Sequence, residues 1–333
     1  MTISQKLDSF IMPDLVDHCT YPQHLNRNWF EVSRQSERFL LEYANFSQKK
    51  RCTFLGLKAG ELTSACYPNA DTYYLQVTAD FMGYLFTLDD WSDDFGVDDN
   101  CNLAECVMNA LRDPSGFQTD KAAGILAKDR YVAKGGPGCT ARFIHTMDLF
   151  FKAIAQQARD RRDRLIPDTE AYIEVRRDTS GCKPCFALIE FCAGIDLPEE
   201  VSQHPIIQSL EEATNDLITW SNDIFSYNVE QARGDTHNMI SVFMERQGHD
   251  LQTAVDAVGD LCKASIDRFE ANRQSLPSWG PKVDDDVQVY IQGLQDWIVG
   301  SLHWSFDTTR YFGQNGAVVK KHRVVTLLPV RKA

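Results

Sequence analysis

Leu88-Asp89-Asp90-Trp91-Ser92-Asp93-Asp94 is the stretch on which the reading of this chain turns. The apolar, aromatic run Phe81-Met82-Gly83-Tyr84-Leu85-Phe86-Thr87 leads into it, and four carboxylates then fall within six residues. A helix through this run puts Asp89 and Asp93 one turn apart on a shared face. Carboxylates gathered at the end of an apolar helix repel one another and lose solvation, so they require a counter-charge. No Lys or Arg stands between Lys58 and Arg112 to supply it from nearby in the chain. A hard divalent cation, which takes oxygen ligands, is the counter-charge this chemistry favours. Asp89, the first acid to leave the apolar run, ranks as the direct ligand. Asp93 ligates or orients, and Asp90 and Asp94 stand behind them.

Outward from this stretch, the chain reads as helical almost throughout. The spacing predicts helices over 27–46, 71–94, 102–112 and 139–160, the last with Phe143, Met147, Phe150, Phe151 and Ile154 as a core stripe. The turn-rich Phe95-Gly96-Val97-Asp98-Asp99-Asn100 ends the helix that carries the aspartates. Asp168 reads as an N-cap opening a short helix to Asp178, broken at Ser180-Gly181. Helices over 182–193, 205–233, 250–274 and 285–312 follow. Strand alternation is scarce and no repeat period appears, so the expected fold class is all-α. The expected organisation is an irregular segment 1–23, one helical domain 24–313 and a tail 314–333.

A chain of 333 residues that is 43% hydrophobic can bury a large core. It has no run of about 18 uncharged apolar residues, so no membrane span is expected. Its start lacks a basic stretch followed by an apolar one, as a secretory signal has. The net charge of −13 argues against nucleic acid as a partner, though not against a small anionic substrate neutralised locally. The 10 cysteines show no disulfide-framework spacing, which fits a reducing, cytoplasmic setting. Cys182-Lys183-Pro184-Cys185 has no second pair and no strand-turn-helix context, and it reads as buried, inert thiols. Gly135-Gly136-Pro137-Gly138 lacks the GK[ST] of a phosphate loop and reads as a linker before a helix. Asp284-Asp285-Asp286 reads as a helix N-terminus.

A second oxygen-rich stripe lies far along the chain, in Ser221-Asn222-Asp223-Ile224-Phe225-Ser226-Tyr227-Asn228-Val229-Glu230. Asn222, Ser226 and Glu230 recur every four residues and share one helical face, offering an amide oxygen, a hydroxyl and a carboxylate. Alone this is a polar helix face. Beside the separate aspartate-rich helix end, it is the second wall of a metal site.

With both motifs in place the chain resembles a class I terpene synthase, of the fungal, basidiomycete-type sesquiterpene cyclase group. Asp89-Asp90-Trp91-Ser92-Asp93 matches that family's DDxxD, and Asn222 to Glu230 matches its Asn-Asp-x-x-Ser-x-x-x-Glu motif. Arg176-Arg177-Asp178-Thr179-Ser180-Gly181 resembles its diphosphate-sensing Arg with a helix break downstream, and Arg310-Tyr311 its late Arg-Tyr pair. Two points depart from or blur the pattern. Val229 stands where the family often has Lys or Arg, a contact that is missing here or supplied by another residue such as Arg233. The sensing Arg is Arg177 by its spacing to Ser180-Gly181, or Arg176 by its spacing to Asn222.

The resemblance implies a helical bundle around a central apolar cavity. It also implies three Mg²⁺ ions (with Mn²⁺ as a possible substitute) held by Asp89, Asp93, Asn222, Ser226 and Glu230. Farnesyl diphosphate would be ionised and cyclised to a hydrocarbon or alcohol, with diphosphate held by Arg176, Arg177, Arg310 and Tyr311. Catalytic roles fall to Asp89, Arg177, Arg310 and Tyr311. Met82, Leu85, Phe86, Phe186 and Trp304 are the candidate pocket residues, with Asn215, Ile218 and Thr219 before Asn222; His237 and His303 are weaker candidates for a base. Humulyl- and germacrenyl-type closures and water quenching stay open, with a lean to the germacrenyl type, as do C10 and C20 substrates. Monomer and weak homodimer are both ordinary for the family. A chain-elongating prenyltransferase would carry a second aspartate-rich motif where Asn222, Ser226 and Glu230 stand. A protonation-initiated cyclase would need a DxDD motif, and a non-catalytic helical scaffold leaves the acid cluster without a purpose.

Overall fold

Helical periodicity dominates the sequence, and the backbone follows it. The computed structural model describes residues 9–44, 46–128 and 135–330. Helices α1 (Trp29–Tyr43), α2 (Gln48–Leu57), α3 (Ala59–Cys66), α4 (Thr72–Asp94), α5 (Val97–Arg112) and α6 (Ala122–Lys128) come first. The middle of the chain forms α7 (Pro137–Asp163), α8 (Thr169–Thr179), α9 (Cys182–Ala193) and the single turn α10 (Glu199–Ser202). The remainder is α11 (Pro205–Arg233), α12 (Met239–Gln247), α13 (Leu251–Gln274), α14 (Pro281–Asp307), α15 (Thr309–Phe312) and α16 (Gly316–His322). Among the described residues no helix is long and apolar enough to cross a membrane.

The ends of the long helices follow from local chemistry. Asp168 accepts from Ala171 N at 2.9 Å and Asp250 from Thr253 N at 2.8 Å, each satisfying a donor that a helix start leaves free. Pro137, Pro205 and Pro281 take first-turn positions, where a missing N–H costs nothing. The Gly-rich segment before α7 receives a protein carboxylate: Asp196 accepts from Gly138 N at 3.0 Å and Cys139 N at 2.7 Å. A Cβ on Gly136 or Gly138 would collide with that carboxylate, which is why glycine stands at both. An internal anion therefore occupies this helix N-terminus.

Among the described residues six helices, α2, α3, α6, α10, α12 and α16, lie where the periodicity predicts none. Helix α2 buries only Leu57 and has almost no apolar face, so its pattern is unreadable in sequence. Helices α3 and α12 are short and held by packing rather than by periodicity. The expected turn at 95–100 shrinks to Phe95-Gly96, because Asp98 and Asp99 sit in the first turn of α5, where the dipole favours acids. The expected single helix over 285–312 divides at Thr308, an extended residue whose hydroxyl accepts from Arg310 N at 3.2 Å. Near the two ends of the described residues, β1 (Ser9–Ile11) pairs antiparallel with β2 (Val324–Thr326). Phe10, 2% exposed, anchors that ribbon edge-on against Tyr227 of α11.

Helices α4, α7, α11 and α14, with the α8–α9 junction, surround one interior cavity of about 790 Å³. Helix α4 is buried almost continuously from Leu75 to Leu88, and past that stretch it surfaces at its aspartates. That profile makes it an interior helix whose charged end is forced to the cavity rim.

Asp296 of α14 is one of several buried acids, 4% exposed, with Gln292 Nε2 donating to it at 3.1 Å. Burial raises its carboxyl from 3.8 to about 6, against the partial relief from Gln292. The folded state therefore holds an extra proton between those values, and stability falls as pH rises through that window. Asp296→Asn is expected to raise stability by about 2–3 kcal/mol at pH 8. The gain should shrink toward zero as pH is lowered past 5, read as Tm by calorimetry. A gain independent of pH would show that burial of charge is not the cause.

Candidate active site

The aspartates emerge from α4 at the cavity mouth, and each meets a cation from a distant part of the chain. Arg310 of α15 donates through Nη2 to Asp89 Oδ2 at 3.0 Å and through Nη1 to Asp90 Oδ1 at 3.2 Å. Its guanidinium lies 5.4 Å from the Phe86 ring centroid. Arg161 of α7 stands 3.7 Å from Asp93 and donates to Ser92 O and Phe95 O, at 3.2 Å each, closing the C-terminus of α4. Lys50 of α2 pairs with Asp94 at 3.2 Å. The counter-charge expected from a divalent cation alone is thus partly supplied by side chains far away in sequence. It is incomplete at Asp93, whose pKa burial, Asp89 and Asp235 together push up to about 7. Burial also raises Asp89, with Arg310 opposing.

The facing wall is α11. Asn222 Oδ1 accepts from Arg176 Nη2 at 2.8 Å, and its Nδ2 donates to Tyr311 Oη at 2.7 Å. Ser226 lies close enough to Glu230 to ease its carboxylate, yet its buried Oγ makes no hydrogen bond of normal geometry. Glu230 accepts from Asn238 Nδ2 at 2.9 Å; burial first, then Asp235 and Asp223, push its pKa up to about 8. Among the described residues no three His, Cys, Asp or Glu side chains gather around one point. The donors are instead divided between the two walls, with an amide and a hydroxyl among them. An orphaned hydroxyl beside the desolvated Glu230, with oxygen donors on both walls, fits a hard divalent cation. The residues that would hold it are Asp89 and Asp93 on one side and Asn222, Ser226 and Glu230 on the other.

The two adjacent arginines of α8 point in opposite directions. Arg176 lines the cavity and is fixed from behind by Asp223, which accepts from its Nε at 3.1 Å and Nη2 at 3.0 Å. Asp223 is 1% exposed and also accepts from Tyr172 Oη at 2.6 Å and Met239 N at 2.9 Å. Arg177, expected as the catalytic arginine from its distance to Gly181, does not line the cavity. It forks onto Asp216 at 2.7 and 2.8 Å and reaches Glu212 at 3.3 Å. Successive helix positions lie about 100° apart, so only one of the two can face inward.

Of the candidate pocket residues, Met82, Leu85, Phe86, Ile218, Thr219 and Trp304 line the cavity. Phe186 does not; it is 2% exposed and packs edge-on against Trp297, the ring that does line it. Asn215 lies behind the wall. His303 faces Lys320 on the outer side, whereas His237 lines the cavity and burial lowers its pKa to about 3. Cys182 and Cys185 are buried in the wall, and burial raises both thiols, so they stay protonated. Sequence reasoning missed Asp223 as the anchor of Arg176, Arg161 at the end of α4, and Asp235 at the rim. Asp223 and Arg161 belong to the site by contacts between distant helices, for which no local signal exists, whereas Asp235 is brought there by the turn that ends α11.

A family model described as terpene synthase family 2, C-terminal metal binding, matches residues 80–268. Sesquiterpene synthase 1 of Postia placenta is 55% identical over 324 residues, covering 96% of each chain. The chain belongs to the terpene synthase family. The alpha-muurolene synthase of Coprinopsis cinerea is 51% identical, covering 99% of this chain and 80% of that one. The delta(6)-protoilludene synthase of Stereum hirsutum is 34% identical, covering 96% and 88%. The solved structure of an alpha-eudesmol synthase superposes with a TM-score of 0.78 at 19% identity, covering 86% of this terpene synthase and 97% of that chain. That likeness confirms the single all-α class I fold expected from the sequence.

The two arginines and the orphaned hydroxyl are separable by measurement. Arg176→Ala is expected to lower kcat/KM for the diphosphate substrate about 100-fold or more, and to lower Tm as well, because it leaves the buried Asp223 carboxylate without its guanidinium. Arg177→Ala should lower stability by about 2 kcal/mol, since Arg268 still pairs with Asp216 at 2.6 Å, but keep kcat within a few-fold. Mg²⁺ with inorganic diphosphate should raise the parent's Tm, and Ser226→Ala should reduce that rise. An unchanged rise would remove Ser226 from the metal site.

Proposed function

We propose that this chain is a Mg²⁺-dependent sesquiterpene synthase that ionises farnesyl diphosphate and cyclises the resulting cation. The observation that carries the reading is the pair of oxygen-bearing walls on α4 and α11. They face each other across the mouth of one 790 Å³ cavity, with Arg176, Arg310 and Tyr311 between them. The relatives at 55% and 51% identity named as sesquiterpene synthases support the C15 substrate over shorter or longer ones. Ten free cysteines support a reducing cytoplasmic setting.

Bound divalent ions would supply Lewis acidity to the diphosphate oxygens. The chain's own groups bind and orient. Arg176 is held in one rotamer by Asp223, so little side-chain entropy is lost when its remaining donors meet a diphosphate oxygen. Tyr311 accepts from Asn222 Nδ2, which leaves its own O–H free to donate, and burial pushes its pKa up to about 12 and keeps that proton in place. Arg310 is engaged by Asp89 and Asp90 and can turn from them to the leaving group as ions take over the aspartates.

Behind the mouth the walls suit a cation and exclude water. Trp304 turns its Nε1 away to Leu57 O and Lys58 O, each at 3.0 Å, and packs against Phe86 at 5.5 Å. The ring faces that remain can attract a positive carbon by roughly 0.5–2 kcal/mol each. Hydroxyls at the wall donate to backbone carbonyls, as Thr87 does to Gly83 at 2.8 Å and Ser305 to Ser301 at 2.8 Å. Lone pairs rather than protons then face the cavity. Neutral His237 at the rim is no cationic obstacle to the reaction.

Incubation with farnesyl diphosphate and Mg²⁺ should release inorganic diphosphate and a volatile C15 product, identified by gas chromatography. Longer prenyl diphosphates would instead indicate chain elongation, and no turnover of any prenyl diphosphate would sink the reading. Asp89→Ala and Asn222→Ala should each abolish turnover with the helical circular dichroism intact.

A further inference from the structure

Asn215 has a side chain that the reaction does not touch and that packing alone does not explain. It lies on α11, 1% exposed, behind the cavity wall. Its Nδ2 donates to Arg177 O at 2.8 Å, and its Oδ1 accepts from Ser180 Oγ at 2.8 Å and Thr219 Oγ1 at 3.0 Å. Ser180 Oγ also accepts from Cys182 N at 3.1 Å, at the first turn of α9. One amide thus grips a carbonyl of α8 and the hydroxyl that starts α9. Between those grips the chain passes through Gly181 at φ +69°, a conformation that L side chains resist. Leu85 of α4 closes the other side, 3.0 Å from where a Gly181 Cβ would stand.

We propose that Asn215 is a positioning residue: from α11 it clamps the break between α8 and α9 and so sets the cavity wall presented by Thr179, Ser180, Gly181 and Cys182. The inference rests on the sesquiterpene synthase reading, because only a reaction steered by cavity shape makes that wall a determinant of product. All four residues line the cavity. The same break fixes the reach of Arg176, whose carbonyl accepts from Ser180 N at 3.0 Å. Asn215, Thr219, Asn222, Ser226 and Glu230 follow one stripe of α11. Its lower end therefore holds the break while its upper end holds the mouth, and any shift of α11 moves both together.

An amide that only satisfied a buried helix end would affect stability alone. A clamp affects where the cation closes and whether water reaches it. The test compares Asn215→Leu, Ser180→Ala, their double variant and Ser180→Thr, each first shown to be folded by circular dichroism and Tm. Farnesyl diphosphate turnover by Asn215→Leu and Ser180→Ala should fall about tenfold or more. Their product spectra should broaden in the same way, toward acyclic or hydroxylated C15 products. The double variant should be no worse than the stronger single variant, as expected for one shared interaction. Ser180→Thr, which keeps the hydroxyl, should keep the parent's slow backbone hydrogen exchange over 176–186 even if its added methyl alters the cavity wall and the product spectrum. Backbone hydrogen exchange over 176–186 should speed up in Asn215→Leu, a readout that needs no substrate. Folded variants with the parent spectrum and unaltered exchange would overturn the clamp. If Asn215→Leu fails to fold, hydrogen exchange decides alone: faster over 176–186 in Ser180→Ala and unchanged in Ser180→Thr supports the clamp, and equal exchange in both overturns it. A parent enzyme inert toward farnesyl diphosphate would defeat the functional reading, and hydrogen exchange would still judge the clamp.

Discussion

Negative charge held at the rim of an apolar cavity is the constraint on which the rest of this structure depends. Asp89, Asp93 and Glu230 approach one another from two helices, with Asp235 of the loop after α11 beside them, in surroundings that raise the pKa values of the first three. Unit charges about 4 Å apart near a protein surface interact by roughly 4 kcal/mol, so four carboxylates could not gather there unanswered. Arg310, Arg161, Arg176 and Lys50 converge on the rim from four different helices to answer them. The resulting balance is poised rather than finished. Divalent ions held by Asp89 and Asp93 would answer the same charge, and would leave the arginine donors free for diphosphate.

Delivery of those groups depends on breaks in the helices rather than on the helices themselves. Gly181 at φ +69° bends α8 away from α9 and turns the first turn of α9 into cavity wall. Thr308, extended between α14 and α15, swings Arg310 and Tyr311 inward instead of letting them continue on the helix surface. Gly234 at φ +79° stops α11 one turn past Glu230 and brings Asp235 and His237 back over the rim. Long apolar helices make a stiff, dry container, and short irregular joints aim the chemistry into it. Precision at the joints comes from side chains fully engaged by hydrogen bonds, among them Asp223 behind Arg176 and Asn215 behind Ser180.

Legibility in the sequence tracked how local each feature is. The long helices could be bounded to within a few residues, because burial imposes a 3.6-residue period and caps mark the ends. Helix α2 left no such trace, since it is exposed over most of its length and held chiefly through Trp304 and Thr309 to its carbonyls. The metal-facing stripe on α11 was visible because its members recur every four residues on one face. Phe186 and Trp297 could not be ranked in advance: both are buried aromatics, and which of them meets the cavity depends on the rotation of α9 against α14.

The sequence by itself determined that the chain is helical, that two oxygen-rich motifs lie at the ends of apolar runs, and that an arginine before Ser180-Gly181 and one at 310 accompany them. Those features are written in spacing, and spacing is what a helix converts into a shared face. Only the tertiary structure decided that Arg176 and not Arg177 faces the cavity, and that Arg310, Arg161 and Lys50 hold the aspartates. The same is true of the pairing of β1 with β2 and of Asn215 gripping the break. Each of these is a contact between residues tens to hundreds of positions apart. Its geometry is set by how helices rotate and pack against one another, and no local pattern encodes that.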